Sequence, residues 1–126
     1  MANTNKQLLN AIAQAIYDKK GFNILGLDIQ QRSLSADGSM ADYMIIAEGN
    51  IDRHVKSLAQ AVKEKLDELG EPLLYIDGKS SGDWVVMDYG QIIIHLLTPE
   101  FREKYELEKL WKQASIIDLE IDTSKS

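Results

Sequence analysis

The chain contains no cysteine and no long apolar run. The absence of cysteine excludes disulfides, thiolate metal sites and cysteine nucleophiles, and it fits a reducing cytoplasm. No stretch is long enough to span a bilayer, and the N-terminus lacks the basic and apolar segments of a secretion signal. We therefore expect a soluble, cytoplasmic protein that makes no contact with a membrane.

Positive charge is also scarce. Lysine and arginine together number 14 against 20 aspartates and glutamates, which gives a net charge of -6. Neutralisation of nucleic-acid phosphates is therefore disfavoured as the main binding mode. An acidic surface suits a basic protein partner better, although solubility alone explains the same charge. At this length we expect one domain, residues 1–126, whose core needs no disulfide or metal.

Periodicity in the first half of the chain predicts a helix followed by two strands. Thr4 and Gln7 have the spacing of a capping box, and apolar residues then recur at helical spacing until Gly21. Short apolar runs predict strands at residues 23–30 and 42–47. The polar residues 31–41 between them predict a connecting loop.

The next element is an amphipathic helix of about five turns. Asn50 or Asp52 is expected to cap it, and Gly70 with Pro72 to end it. Residues 73–76 then predict a third strand. A strand, helix, strand order in one sheet normally forms a parallel, right-handed crossover.

The chain is organised around residues 83–97. Two apolar runs, 84–87 and 92–97, flank a short turn and predict a β-hairpin. Neither run alternates cleanly between apolar and polar residues, so we expect burial on both faces, as in a sheet covered by helices. Four residues of this hairpin are the least needed for its structure alone and are therefore candidates for function: Trp84, Asp88, Tyr89 and His95.

A last helix is predicted to begin at Thr98 and Pro99. Leu107, Leu110 and Trp111 predict a further helical turn, and the tail, 115–126, is expected to add an edge strand or to be flexible. The predicted order is α-β-β-α-β-β-β-α. This order indicates an α/β fold with helices packed on a mixed sheet of about five strands.

Four motifs, spread in order along the chain, carry a resemblance to a known family. They are Asp42-Tyr-Met-Ile-Ile-Ala, Arg53-His-Val, Gly82-Asp-Trp-Val-Val-Met-Asp-Tyr-Gly with the Ile-Ile-Ile-His run after it, and Pro99-Glu-Phe-Arg-Glu-Lys-Tyr with the residues up to Trp111. Together they resemble the Iojap family, the bacterial and organellar ribosomal silencing factors. Residues 48–53 depart from the family, which usually has Thr, Gly and Ser there.

The resemblance implies a fold and a function. It implies a mixed-sheet fold shaped like a nucleotidyltransferase and a translation repressor that is not an enzyme and needs no cofactor. Family members bind the large ribosomal subunit through ribosomal protein L-fourteen at the intersubunit face and block association with the small subunit. They thereby lower translation under nutrient limitation. A peripheral contact with ribosomal RNA is compatible with this position.

Three hairpin residues are candidates for the partner interface. Trp84 and Tyr89 bring the large aromatic areas that dominate binding hot spots, and Asp88 is suited to pair with a basic partner residue. Trp84 and Asp88 each have a structural alternative. Trp84 closes the end of the core in that case, and Asp88 caps its own turn.

The remaining candidates lie in the second hairpin strand and the last helix. His95, inside an apolar run, is either a hydrogen-bonded core residue or part of the interface. Glu100 and Arg102 are expected to form a charged rim around Phe101 and Tyr105. Ordinary helix packing and solvation explain the same residues. His54 is too far from His95 in sequence, without a third clear ligand, to predict a metal site.

Two other functions remain as hypotheses. A metal-dependent nucleotidyl or phosphoryl transferase would use carboxylates such as Asp42, Asp77, Asp83 and Asp88 to hold magnesium, but the sequence has no Asp-x-Asp pair and no phosphate-binding loop in the usual order. A homodimer through Trp84 or a sheet edge would compete with the ribosomal contact.

Overall fold

A computed structural model describes residues 3–34, 40–106, 109 and 114–124. The elements in chain order are α1 (Asn5–Asp18), β1 (Phe22–Leu34), β2 (Met40–Glu48), α2 (Asp52–Glu68), β3 (Tyr75–Asp77), β4 (Trp84–Asp88), β5 (Ile92–Leu97), α3 (Pro99–Tyr105) and β6 (Ser115–Ile117). Within the described residues, no helix is long and apolar enough to cross a membrane.

The strands form one mixed sheet in the order β3-β4-β5-β2-β1-β6. The central pair, β2 and β5, is parallel, and the other neighbouring pairs are antiparallel. The predicted α/β fold with a mixed sheet is confirmed. Among the described residues there are six strands instead of about five, because β6 pairs with the edge of β1. The strand β3 is parallel to β2, as the crossover predicts, but β5 and β4 lie between them.

Both long helices cover one face of this sheet. The capping box of α1 is confirmed: the Gln7 N–H donates to the Thr4 hydroxyl (3.1 Å), and the Thr4 N–H donates to the Gln7 side chain (2.8 Å). The apolar stripe of α2 is also confirmed. Its buried members are Val55, Leu58, Ala59, Val62 and Leu66. These side chains pack with α1 and with strand residues such as Ile45 and Met87 into the larger core.

The opposite face, here called the second face, has a smaller core. Its buried residues are Leu27, Ile29, Ala41, Met44, Ile46, Ile93 and Leu97. Trp84 and Val86 of β4 and Phe101 of α3 pack against this core but are only partly buried. The helix that lies here, α3, has just seven residues. Apolar surface on the second face is therefore partly exposed to solvent.

The predicted boundaries of three strands are wrong. Residues 31–34 continue β1 instead of entering a loop, and β2 already begins at Met40, because backbone pairing of Leu34 with Met40 extends the ladder through polar residues. The third strand is Tyr75–Asp77, not 73–76, because its register is set by pairing with residues 86–88. Side-chain polarity predicts such boundaries poorly when backbone hydrogen bonds decide them.

The predicted cap of α2 is also wrong. The N-cap is Ile51, whose side chain makes no cap hydrogen bond, in place of Asn50 or Asp52. His54 contributes to this turn instead. The Asn50 N–H donates to Nδ1 of His54 (2.9 Å), and Nε2 of the ring donates to the Lys19 carbonyl (2.7 Å). The imidazole thus joins the start of α2 to the end of α1.

The last helix begins at Pro99 as predicted, with Thr98 as its N-cap by backbone conformation, although the Thr98 hydroxyl makes no cap hydrogen bond. The further turn predicted from Leu107, Leu110 and Trp111 lies outside the described residues. In the tail, Ser115–Ile117 form the edge strand that was one of the two predicted alternatives.

Candidate functional site

Three aromatic side chains and one histidine meet on the second face of the sheet. The ring centroids of Trp84 and Tyr105 are 4.9 Å apart, those of Phe101 and Tyr105 5.8 Å, and those of Trp84 and His95 5.9 Å. Each pair is tilted, as is common for packed aromatic rings. The Trp84 Nε1–H donates to Nδ1 of His95 (3.0 Å). We call these four residues the aromatic cluster.

Local sequence explains why these residues meet. Trp84 begins β4 opposite Leu97, the last residue of β5, and His95 lies two residues earlier on the same face. Only Thr98 separates β5 from α3, so the helix starts beside Trp84. Phe101 and Tyr105 are four residues apart and therefore share one side of the helix. The short connection brings that side onto Trp84.

The aromatic cluster is partly exposed and lies beside acidic groups. Tyr105 is 45% exposed, whereas Trp84 and Phe101 are partly buried. Three exposed glutamates lie on α3 or at its C-cap, and we call them the acidic rim: Glu100, Glu103 and Glu106. The Lys104 ammonium lies 5.5 Å from the centroid of the Tyr105 ring, and the Lys109 ammonium lies 3.0 Å from a carboxylate oxygen of Glu106. Exposed aromatic area beside charged groups has the composition typical of a protein-binding surface.

A shallow acidic cleft adjoins this helix. Its volume is about 400 Å³, and it is lined by Asn50, Ile51, Asp52, Asp83, Thr98, Pro99 and Glu100. Among the described residues, no group of three or more His, Asp or Glu side chains is arranged to hold a metal ion. The cleft therefore adds negative charge to the surroundings of α3, without a geometry that indicates metal chemistry.

His95 is the inner member of the aromatic cluster. Burial lowers the pKa of His95 to about 4, so the ring is neutral at pH 7. Because an indole N–H only donates, Nδ1 of His95 is the acceptor and its proton is on Nε2. A neutral histidine held in this way orients the Trp84 ring. His95 is therefore a hydrogen-bonded core residue and also a member of the candidate site.

This pKa predicts a pH dependence of stability. The folded-state pKa is below the unfolded value of 6.5, so the unfolded chain takes up a proton that the folded chain excludes between about pH 6.5 and pH 4. The stabilisation is complete above about pH 6.5 and is lost as the pH falls toward 4, by at most about 3 kcal/mol. Urea unfolding at pH 7 and pH 4.5 measures it.

The matched variant is His95→Asn, whose side-chain oxygen can still accept from Trp84 but does not titrate. We expect the free energy of unfolding of this variant to fall less between the two pH values than that of the unaltered protein. Equal losses in both proteins would contradict the assignment to His95.

Asp88 and Tyr89 lie away from the aromatic cluster. Asp88 is four residues from Trp84 along β4, roughly 13 Å at strand spacing. It is only 6% exposed, and its Oδ1 accepts the Gly90 N–H (2.8 Å). Asp88 therefore has the geometry of a turn-capping residue, the structural alternative for this position. The candidate residues thus fall into two groups at opposite ends of the hairpin.

Tyr89 has an unusual hydroxyl. Among the buried side-chain polar atoms of the described residues, the Tyr89 hydroxyl oxygen is the one that has no hydrogen-bond partner. Burial, with a smaller contribution from Asp67, raises the pKa of Tyr89 to about 12. Its ring packs against the larger core, on the helix-covered side of the sheet. Tyr89 therefore faces away from Trp84.

Tyr89→Phe tests the cost of this hydroxyl. A buried hydroxyl without a partner is destabilising, so we expect the substitution to raise the free energy of unfolding by about 1 kcal/mol. Urea unfolding at pH 7 measures the change. A loss of stability would show that the hydroxyl is hydrogen bonded in solution.

Arg102 belongs to an internal ion pair. Its Nη1 donates to Oε2 of Glu48 (3.1 Å) and to the Asn23 carbonyl, and the Asn23 Nδ2 donates to the same Glu48 oxygen (3.0 Å). A surface cavity of about 470 Å³ borders this pair. Sequence reasoning missed Glu48 and Asn23. The sequence did contain a signal for Glu48, since its carboxylate directly follows the apolar residues of a strand.

Comparison with known proteins shows the family of this chain. Residues 2–126 match the family described as "Ribosomal silencing factor during starvation". A Bacillus subtilis protein named ribosomal silencing factor RsfS is 36% identical over 115 residues, 91% of this chain and 93% of the relative. A mouse protein named mitochondrial assembly of ribosomal large subunit protein 1 is 39% identical over 80 residues, which are 61% of this chain and 35% of the mouse protein.

A solved structure agrees with this result. The crystal structure of a Chromobacterium violaceum protein superimposes with a TM-score of 0.80 and 30% identity, covering 98% of both chains. The match therefore includes the sheet and the helices that pack on it. The family resemblance seen in the four sequence motifs is confirmed. This chain belongs to the ribosomal silencing factor family, also called the RsfS or Iojap family.

Proposed function

We propose that this protein is a cytoplasmic translation repressor that binds the large ribosomal subunit through ribosomal protein L-fourteen. It occupies the intersubunit face and keeps the small subunit from joining, which lowers translation under nutrient limitation. The observation that carries the proposal is the family match over residues 2–126. The name of the mouse relative, which refers to assembly of the ribosomal large subunit, supports the choice of subunit.

The second face supplies the binding surface in this proposal. Tyr105, Trp84 and Phe101 offer partly exposed aromatic area, and such residues commonly contribute most of the affinity of an interface. The acidic rim and the net charge of -6 favour a basic partner. Long-range attraction mainly raises the association rate, so binding should become slower as ionic strength rises.

Repression by occlusion requires no catalytic step. The protein needs only to remain bound and to be large enough to clash with the small subunit. The alternative, a metal-dependent nucleotidyl or phosphoryl transferase, requires carboxylates that converge on a metal ion. Magnesium-dependent turnover of nucleotide by the purified protein, lost in Asp42→Asn or Asp88→Asn, would favour that alternative.

Subunit joining is the direct test. Purified large and small subunits are mixed with and without saturating protein, and light scattering follows the formation of joined ribosomes. We expect both the rate and the final amount to fall. Joining at an unchanged rate, with the protein shown by co-sedimentation to occupy the large subunit, would refute steric repression.

Crosslinking tests the partner and the binding surface together. A photoreactive phenylalanine analogue replaces Tyr105 on the second face, or Tyr17 of α1 on the opposite layer as the control. We expect the label at position 105 to crosslink to ribosomal protein L-fourteen, and the label at position 17 to give no such product. Crosslinking from position 17 alone would place the interface on the other layer.

A further inference from the structure

The short helix α3 carries two residues of the aromatic cluster but is weakly anchored by packing. None of its seven residues is fully buried. Its start is fixed by the short connection to β5, and the Phe101 and Tyr105 rings lie against the second face. A helix of two turns has little intrinsic stability, so its orientation depends on tertiary contacts.

Arg102 provides such a contact from the middle of α3. Glu48 is the last residue of β2, and Asn23 is the second residue of β1. The Arg102 guanidinium donates to both, and the Asn23 side-chain amide completes a triangle by donating to Glu48. We call these three residues the clamp. It joins α3 to the neighbouring ends of two strands.

The clamp differs from the other ion pairs of the described residues by its burial. The Arg102 and Glu48 side chains are 12% and 9% exposed, whereas those of Lys63 and Asp67 on α2 are 41% and 52% exposed. Exposed pairs contribute little because water and salt screen them. Loss of one member of a largely buried pair leaves a charge without its partner in a poorly solvated place, so the local structure must rearrange.

We propose that the clamp positions α3, and with it Phe101 and Tyr105, for binding to the large ribosomal subunit. Arg102 is then a positioning residue whose guanidinium acts within the protein, not a rim residue that pairs with the partner. This inference rests on the proposed function and assigns a role to Glu48 and Asn23. Ordered placement of the aromatic rings before binding raises affinity because less entropy is lost on association.

Three variants weaken the clamp in different ways. Arg102→Gln removes the charge and the paired donors, and Glu48→Gln keeps an acceptor oxygen but removes the charge. Asn23→Gly removes only the side-chain amide, and its backbone, with φ of 51°, is a conformation that glycine adopts readily. Lys63→Gln, which breaks the exposed pair on α2, is the matched control. Circular dichroism verifies that each full-length variant is folded.

Two measurements are made on each variant. Binding to purified large subunits is measured by co-sedimentation. The environment of Trp84 is measured by fluorine NMR after labelling both tryptophans with 5-fluorotryptophan, and Trp84→Phe assigns the signal. We expect Arg102→Gln and Glu48→Gln to bind about tenfold more weakly and Asn23→Gly about threefold more weakly. The Trp84 signal should move in the direction seen in Tyr105→Ala, and Lys63→Gln should change neither quantity.

The outcomes separate the clamp from the docking surface. Weaker binding of Arg102→Gln with an unmoved Trp84 signal would overturn the positioning role and indicate a direct contact of Arg102 with the partner. Unchanged binding and an unmoved signal in both Gln variants would also overturn it. If Tyr105→Ala binds normally while Arg102→Gln moves the Trp84 signal, the proposed docking surface fails and the role of the clamp in orienting α3 stands.

Discussion

Tyr105→Ala is expected to weaken binding to the large ribosomal subunit by about 30-fold, which corresponds to about 2 kcal/mol. Tyr105 is the most exposed ring of the aromatic cluster, at 45%, and it packs at a tilt against the Trp84 ring, with the two centroids 4.9 Å apart. The substitution removes contact area and also releases the Trp84 ring from one neighbour. Co-sedimentation with purified large subunits, analysed as a titration, gives the dissociation constant.

Tyr17→Ala is the control for this prediction. It makes the same chemical change in α1, on the opposite layer, where we expect no change in affinity. Because Tyr105 is half exposed, Tyr105→Ala should lower the free energy of unfolding by only about 1 kcal/mol. Equal affinities for the two variants would remove the aromatic cluster from the interface. Loss of folding in Tyr105→Ala would contradict its placement at the surface.

Gly78→Ala is expected to lower the free energy of unfolding by about 2–5 kcal/mol. Gly78 has a φ of 83°, a conformation that costs an alanine about 1–2 kcal/mol. A Cβ atom there would lie 1.9 Å from the Trp84 carbonyl oxygen, which belongs to the backbone of β4. Relief of this overlap requires a backbone shift. At overpacked sites such a shift typically lowers the free energy of unfolding by about 1–3 kcal/mol, in addition to the cost of the backbone conformation. Urea unfolding measures the change.

Gly70→Ala separates the two contributions. Gly70 also has a positive φ, 76°, but a Cβ atom there meets no atom within 4 Å. Its expected cost is therefore about 1–2 kcal/mol, from the backbone conformation alone. A loss of stability as large in Gly70→Ala as in Gly78→Ala would mean that the close approach to Trp84 is not the cause.

Much of the fold follows from local patterns in the sequence. The capping box at Thr4, the apolar stripe of α2 and the β-branched runs of the hairpin each predict an element that the structure contains. These patterns succeed because burial of one helix face, or of both faces of a central strand, constrains residue type at fixed spacing. The boundaries of β1, β2 and β3 were missed because backbone pairing with a partner strand sets them.

The candidate site was only partly predictable. Residue type named Trp84, His95, Phe101 and Tyr105 among eight candidates, and the structure brings these four together. Residue type left two alternatives for Asp88, a contact with the partner or the capping of its own turn, and the structure has the geometry of the second. Residue type did not indicate which cation of α3 is paired inside the protein, because Lys104 and Arg102 look alike as charges in a helix.

The sequence by itself determined the order of helices and strands, the hairpin at residues 83–97 and the family, since each depends on residues that are close together or on motifs in a fixed order. The tertiary structure decided which residues form surfaces. Glu48 and Arg102 are 54 positions apart, and Asn23 and Arg102 are 79 apart. Contacts over such separations arise only when strand order and helix placement are fixed, and no local spacing encodes them.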